Sequence, residues 1–159
     1  MIVIGEMRDP ESFDIALSAA GTGHLVLGTM HALSATTAIE RVVEMFPGDR
    51  QAQMRTQLAE CLVVVIAQRL VRRAGGSGRV LALERISNSV RVRNVIREGK
   101  IHQLRSLMQS RGEEYESLDE SLATLVAAGK VRADEAAKWA ENPAFLAELV
   151  RLRGTSRQG

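Results

Sequence analysis

The sequence predicts an α/β fold, with strands and helices alternating in the first half of the chain and helices alone in the second half. Two observations predict this class: short apolar runs alternate with helical patterns in the first half, and strand patterns are absent from Val90 onward. Composition supports a packed core, since 45% of the 159 residues are apolar and 25% are charged. We therefore expect an α/β domain at 1–88, a helical domain at 89–153 and a disordered tail at 154–159.

The first half of the chain begins with two short strands, each followed by a helix. Met1 to Ile4 and His24 to His31 are apolar runs of the kind that form strands buried on both faces of a parallel sheet. Asp9 is expected to cap the first helix, with proline as its first residue, and Ser34 to cap the second. Because Met1 already lies in a buried strand, we expect the chain to be a truncated piece of a longer domain.

A third helix and a glycine turn lead into the helical second half. Asp49 is expected to cap a long helix whose apolar side runs from Met54 to Leu70. The glycines at 75–78 predict a turn before a strand at Val80 to Ile86. Capping signals and helical spacing then predict five helices, at residues 90–98, 101–110, 118–128, 133–142 and 144–152.

Basic residues are concentrated in the middle of the chain. Residues 69–111 contain 11 basic and 2 acidic residues, a net charge of +9, whereas the whole chain carries +2. This basic segment predicts contact with nucleic acid or an acidic protein, although a solvated face of an oligomer-forming domain explains the same charge. Aromatic residues make up only 3% of the chain, which disfavours single-stranded nucleic acid, because its bases stack on aromatic side chains.

Several kinds of site and segment are excluded by the sequence. The longest apolar run, Cys61 to Ala67, is far shorter than the roughly 20 residues of a membrane-spanning helix. A single cysteine excludes an internal disulfide and a multi-cysteine zinc site, and His24 and His31 lack the spacing of helical metal ligands. No metal site is therefore expected. The phosphate-binding pattern G-x-x-x-x-G-K-[ST] does not occur in the chain.

Glu6 and His31 are the residues that the sequence marks for chemistry. Each follows an apolar strand, and the carboxyl ends of parallel strands are where ligands collect. NTPases use an acid in this position to orient water or to help hold Mg²⁺, and a histidine beside it can contact a phosphate. Structural roles are the alternatives: Glu6 as a helix-capping acid and His31 as a histidine bonded to backbone.

Longer motifs carry a family resemblance. Gly5-Glu6-Met7-Arg8-Asp9 and the stretch Ala19 to His31 resemble the Walker B and His-box regions of the type II/type IV secretion ATPases. Two further segments narrow the resemblance to the PilT-like retraction ATPases of type IV pili: Val65 to Val71, and Arg91 to Glu98. The second segment is similar to the A-I-R-N-L-I-R-E signature of those ATPases. The resemblance runs from Met1 to about Val150. It implies the C-terminal half of a RecA-like P-loop NTPase core, beginning at Walker B, followed by an all-helical C-terminal domain.

The resemblance also implies a function and a set of site residues. The whole enzyme would be a cytoplasmic homo-hexamer at the inner-membrane pilus base that hydrolyses ATP with Mg²⁺ and drives pilus retraction and twitching through the platform protein. It would neither insert into the membrane nor act on nucleic acid. Glu6 would polarise the attacking water, and His31, with His24 and Arg8 nearby, would sense the nucleotide. The surface that couples turnover to retraction would comprise Arg93, Asn94, Arg97 and Glu98.

Departures from the family pattern define a competing hypothesis. Gly21 replaces the glutamate of the usual E-T-G-H, and Ala32 replaces the threonine of G-T-L-H-T. In the family the P-loop precedes Walker B, so this chain is expected to be the C-terminal part of the enzyme and inactive by itself. The alternative is a free-standing helical interaction module that binds an acidic partner or nucleic acid through residues 69–111.

Overall fold

The computed structural model describes residues 1–108 and 114–155 as strands, helices and their connections. The α/β class is confirmed. The elements follow in the order β1 (Ile2–Ile4), α1 (Pro10–Gly21), β2 (Val26–Gly28), α2 (Ala35–Glu44), α3 (Gly48–Cys61), β3 (Val64–Arg72), β4 (Arg79–Ser87), α4 (Val90–Arg97), α5 (His102–Met108), β5 (Tyr115–Glu116), α6 (Leu118–Ala127), α7 (Ala133–Ala137) and α8 (Pro143–Thr155).

The chain separates into two compact units that differ from the predicted division at residue 88. The described residues of Met1–Val65 and Ile86–Glu114 form the first unit, and those of Ile66–Arg85 and Tyr115–Gly159 form the second. The reason is packing: α4 contacts α3 within the first unit, whereas the β3–β4 hairpin contributes its inner face to the core of the second. Helical residues after 88 are therefore shared between the units.

Strands β1 and β2 pair in parallel, as predicted, with Ile2 opposite Val26 and Ile4 opposite Gly28. Burial on both faces was predicted wrongly, because Val3 is 67% exposed and Leu27 is 50% exposed. Within the described residues this sheet has two strands, and α1 contacts β2, so much of its apolar surface has no covering layer.

Local capping explains where the first helices begin. Asp9 accepts a hydrogen bond from the backbone N–H of Ser12, and Ser34 accepts one from that of Thr37, so both predicted N-caps are confirmed. The predicted cap at Asp49 is wrong: Pro47 is the N-cap of α3, and Asp49 lies in the first turn.

Helix α3 is shorter than the sequence pattern indicated. It ends at Cys61, and the residues from Val64 onward form strand β3 instead of continuing the helix to Leu70. Exposure alternates along β3, with Leu70 56% exposed beside a fully buried Val71. A distant residue marks the end of α3: the Asn88 side chain donates to the carbonyls of Ala59 and Leu62, at 2.9 and 2.6 Å. Those last carbonyls are therefore satisfied by a tertiary contact.

The second unit packs helices against one face of the hairpin. β3, β4 and β5 form a three-stranded sheet in that order, and β5 is a two-residue strand that the sequence pattern did not reveal. α8 extends to Thr155, so the first two residues of the predicted tail are helical, while 156–159 lie outside the described residues. The buried core comprises Val71, Ala82, Leu118, Leu122, Ala123, Val131, Ala136, Leu146 and Leu149.

Asp119 links the first turn of α6 to the segment that precedes α8. Its two carboxylate oxygens accept hydrogen bonds from the backbone N–H groups of Glu141 and Asn142, at 3.0 and 2.9 Å. The residue is 4% exposed, and this burial raises the pKa of its carboxyl despite the two opposing hydrogen bonds. The buried carboxylate therefore anchors the backbone of the segment that leads into α8.

We expect Asp119→Ala to destabilise the fold by about 1–3 kcal/mol, because two backbone hydrogen bonds to a charged acceptor are lost together with the packing of a buried side chain. Asp119→Asn should cost less, since the amide keeps one acceptor oxygen. Urea unfolding followed by circular dichroism measures both changes. The matched control is Asp134→Ala, which removes an exposed partner of Arg132 and should leave the urea midpoint almost unchanged. Equal midpoints for the Asp119→Ala and Asp134→Ala proteins would contradict this role.

Candidate functional site

The paired ends of β1 and β2 bring Glu6 and His31 together. Beyond the strands, the backbone N–H of Met7 donates to the carbonyl of Thr29 at 2.8 Å, and the Thr29 hydroxyl donates to the carbonyl of Gly5. These contacts hold the two loops side by side. His31 Nε2 consequently lies 3.1 Å from Glu6 Oε1, as expected for residues that follow parallel strands.

Arg8 occupies the other oxygen of the Glu6 carboxylate. Its guanidinium lies 2.5 Å from Glu6 Oε2, and the Glu6 side chain is 28% exposed. The hydrogen bond from Arg8 is the main cause that lowers the pKa of Glu6, and His31 adds to it. Glu6 is therefore an ionised carboxylate at neutral pH, with one partner on each oxygen.

Arg41 and Thr29 complete the site, and neither of them was identified as a site residue from the sequence. Arg41 of α2 donates from its guanidinium to the carbonyl of His31 at 2.7 Å. Spacing within α2 shows that Arg41 lies about two turns beyond the N-cap, but not that it reaches back to the preceding loop. A cleft of about 280 Å³ opens here, lined by Glu6, Met7, Arg8, Met30, His31, Arg41 and Met45.

His24 lies outside this group of residues. It precedes β2, whereas His31 follows it, so the strand separates the two imidazoles along its length. Nδ1 of His24 lies 3.3 Å from the hydroxyl of Thr22, within the turn that ends α1. The structure therefore brings Glu6, Arg8 and His31 together but does not bring His24 to them.

The predicted coupling residues share one short helix. Ser89 caps α4, and the fully buried Val92 and Ile96 face the core of the first unit. Glu98, at the end of the helix, pairs with Lys100 at 2.8 Å. The exposed residues of the predicted surface are Arg93, Asn94, Arg97 and Glu98.

The described residues contain neither a cluster of metal ligands nor a membrane-spanning helix. Within 1–108 and 114–155, no three His, Cys, Asp or Glu side chains are grouped so that they could hold a metal ion. Over the same residues, every helix is too short or too polar to span a membrane.

Comparison with known proteins assigns the family. The chain belongs to the type II/IV secretion system protein family, whose sequence model matches residues 1–138. It is 44% identical over 144 residues to the type IV pilus retraction ATPase PilT of Pseudomonas aeruginosa, a match that covers 90% of this chain and 42% of that protein. It is 41% identical over 143 residues to a twitching motility protein of Neisseria gonorrhoeae, covering 89% of this chain and 38% of the relative.

A solved structure supports the same assignment. The crystal structure of the pilus retraction motor PilT with bound ADP matches with a TM-score of 0.80 at 39% identity, covering 92% of this chain and 41% of the other. The predicted resemblance to PilT-like proteins is therefore confirmed. The chain spans about two fifths of the length of these relatives.

Proposed function

We propose that this chain supplies part of the ATP-hydrolysing site, and the coupling surface, of a motor that retracts type IV pili. The observation that carries the proposal is the contact between Glu6 and His31 at the shared edge of two parallel strands. A carboxylate and an imidazole beside two guanidinium groups suit the edge of a triphosphate, where water must be oriented and negative charge must be balanced.

In this mechanism Glu6 is the residue that orients the attacking water. ATP, bound together with Mg²⁺, would supply the γ-phosphoryl group that the water attacks. Both oxygens of Glu6 are engaged in the structure, one by Arg8 and one by His31, but each carboxylate oxygen can accept a second hydrogen bond, so a water can bind Glu6 with both partners in place. His31, whose side chain is 85% exposed, would contact the phosphate from its place beside Glu6.

Arg8 and His24 take different parts in this proposal. Arg8 keeps the carboxylate of Glu6 ionised and fixed, which is a positioning role in addition to the nucleotide-sensing role expected from the sequence. His24 lies at the other end of β2 from His31, beside the hydroxyl of Thr22. We keep it as the weaker sensing residue.

The remaining parts of the proposal concern assembly. We infer a cytoplasmic homo-hexamer, formed by complete subunits, that works against the platform protein at the inner-membrane pilus base. Support comes from the names of the relatives, a retraction ATPase and a retraction motor, and from the exposed charged surface of α4.

A chimaera tests the function. Residues 1–138 of this chain replace the matching segment of Pseudomonas aeruginosa PilT, and the product is expressed in a strain without its own PilT. We expect ATP turnover and twitching close to those of the parent protein, because the two chains are 44% identical over 144 residues. A chimaera that assembles and binds ATP but does not hydrolyse it would contradict the proposal, and parent PilT is the positive control.

The isolated 159-residue chain should not bind Mg-ATP tightly. Tight binding of the phosphates needs the backbone N–H groups and the lysine of a P-loop, and that motif does not occur in this sequence. Isothermal titration calorimetry is expected to show no heat of binding, whereas the chimaera should show a saturating signal. A micromolar site in the isolated chain would contradict this prediction, because it would show that Glu6, Arg8, His31 and Arg41 suffice for tight binding.

Binding of nucleic acid or an acidic protein is the second candidate function. Arg72, Arg73 and Arg79 at the tip of the β3–β4 hairpin are exposed, and Arg73 and Arg79 donate to backbone carbonyls. These positive charges support an anionic partner. The basic segment is divided between the two units, however, so residues 69–85 and 91–108 are separate features.

A further inference from the structure

We propose that Arg41 is a positioning residue that holds His31 against Glu6. This inference rests on the function proposed above, because it concerns the same site. It adds a residue that neither the sequence motifs nor the matches with relatives assign. The observation behind it is the hydrogen bond of 2.7 Å between the Arg41 guanidinium and the carbonyl of His31.

The loop between β2 and α2 has fixed ends. At its start, Thr29 is bound to Gly5 by its hydroxyl and to Met7 by its carbonyl. At its end, Ser34 is 4% exposed and caps α2 through the backbone N–H of Thr37. His31 lies between these anchors with its side chain 85% exposed, so the buried core does not fix it.

Helix geometry explains why a residue so far along α2 reaches this loop. Side chains of an α-helix lean toward its N-terminus, so the long arginine side chain extends back over the first turns. The N-cap at Ser34 sets the register of α2, and this register turns Arg41 to the side on which His31 lies. A side chain as short as glutamine at position 41 would not reach the His31 carbonyl.

The same contact connects α2 to the catalytic pair. Arg41 holds the backbone of His31, the imidazole of His31 contacts Glu6 Oε1, and Arg8 holds the opposite oxygen. A guanidinium has five N–H donors, of which this bond uses one, and Arg41 also lines the cleft. We nevertheless assign it a positioning role, since its observed partner is the His31 backbone.

Nuclear magnetic resonance on the 159-residue chain tests the role without ATP hydrolysis. In the wild-type chain we expect a nuclear Overhauser effect between the His31 ring and the Glu6 side chain. Arg41→Gln should reduce its intensity at least twofold, because the amide is too short to reach the His31 carbonyl. Arg41→Lys should restore most of it, since the ammonium donates to the same oxygen. Unchanged intensity in Arg41→Gln would overturn the proposal.

The matched control is Arg91→Gln, which replaces another exposed helical arginine outside the site. It should keep the wild-type Overhauser effect. All three variants should melt within about 3 °C of the wild-type chain, because surface hydrogen bonds of this kind contribute little to stability. If Arg91→Gln loses the same signal, the effect is nonspecific and the proposal is wrong.

Turnover in the chimaera separates positioning from direct phosphate binding. Arg41→Gln should lower kcat about 10- to 100-fold, as expected for a misplaced catalytic group, with KM for ATP nearly unchanged. A raised KM with an unchanged kcat would overturn the positioning role and assign Arg41 to the nucleotide. If the chimaera without any substitution is inactive, that result counts against the proposed function. The resonance measurement would still decide the role of Arg41.

Discussion

We expect Glu6→Gln to lower ATP turnover of the chimaera by about 10²- to 10⁴-fold, the loss expected when a catalytic carboxylate is removed. The amide has the same shape, but it cannot accept a proton and orients water weakly. Nucleotide affinity should stay within a few fold of the parent value, because the phosphate-binding loop is untouched. Single-turnover hydrolysis and nucleotide titration measure the two quantities separately.

The contacts of Glu6 allow this substitution to test the catalytic role without disturbing the packing of the site. Glutamine can still accept from Arg8 through its oxygen, while its amide group turns to His31, so the site should keep its packing. The matched control is Glu11→Gln on the exposed side of α1, which changes the same charge outside the cleft. An unchanged hydrolysis rate in Glu6→Gln would assign Glu6 to a structural role at the start of α1.

The proximity of Glu6 and His31 was predictable from sequence because it depends on local patterns and one general rule. Apolar runs marked β1 and β2, and parallel strands place their carboxyl ends together, which is sufficient to bring Glu6 near His31. Arg8 follows Glu6 by two residues, so its proximity was also local. What the pattern could not show is that Arg8 bonds directly to the carboxylate.

The incorrect and missing sequence predictions have a common physical cause: the structure at those positions depends on residues that lie elsewhere in the chain. Residues 62, 65, 66 and 70 have helical spacing, yet α3 stops at Cys61, where Asn88 satisfies its last carbonyls. The β-branched run that follows alternates between exposed and buried positions and forms a hairpin strand. Arg41 was missed for the same reason, since its partner lies ten residues away in a loop.

Replacing Arg93 and Arg97 with alanine should abolish pilus retraction while leaving most of the ATP turnover of the chimaera. Both arginines are exposed on α4, whereas Val92 and Ile96 anchor the helix through their buried side chains. Exposed charges on a short helix contribute less than about 1 kcal/mol per pair, so the subunit should remain folded. A surface that meets a neighbouring subunit or the platform depends on these charges directly, because it transmits the result of hydrolysis.

The same double variant distinguishes the two candidate functions. If the basic segment binds nucleic acid, the loss of two cations should weaken DNA binding and flatten its dependence on salt, with no specific effect on retraction. Arg91→Ala is the matched control, because it removes one exposed arginine of α4 outside the proposed surface. ATP turnover, twitching and DNA affinity are measured on the same preparations and strains. Normal retraction by the double variant would refute the coupling role of Arg93 and Arg97, whatever happens to DNA binding.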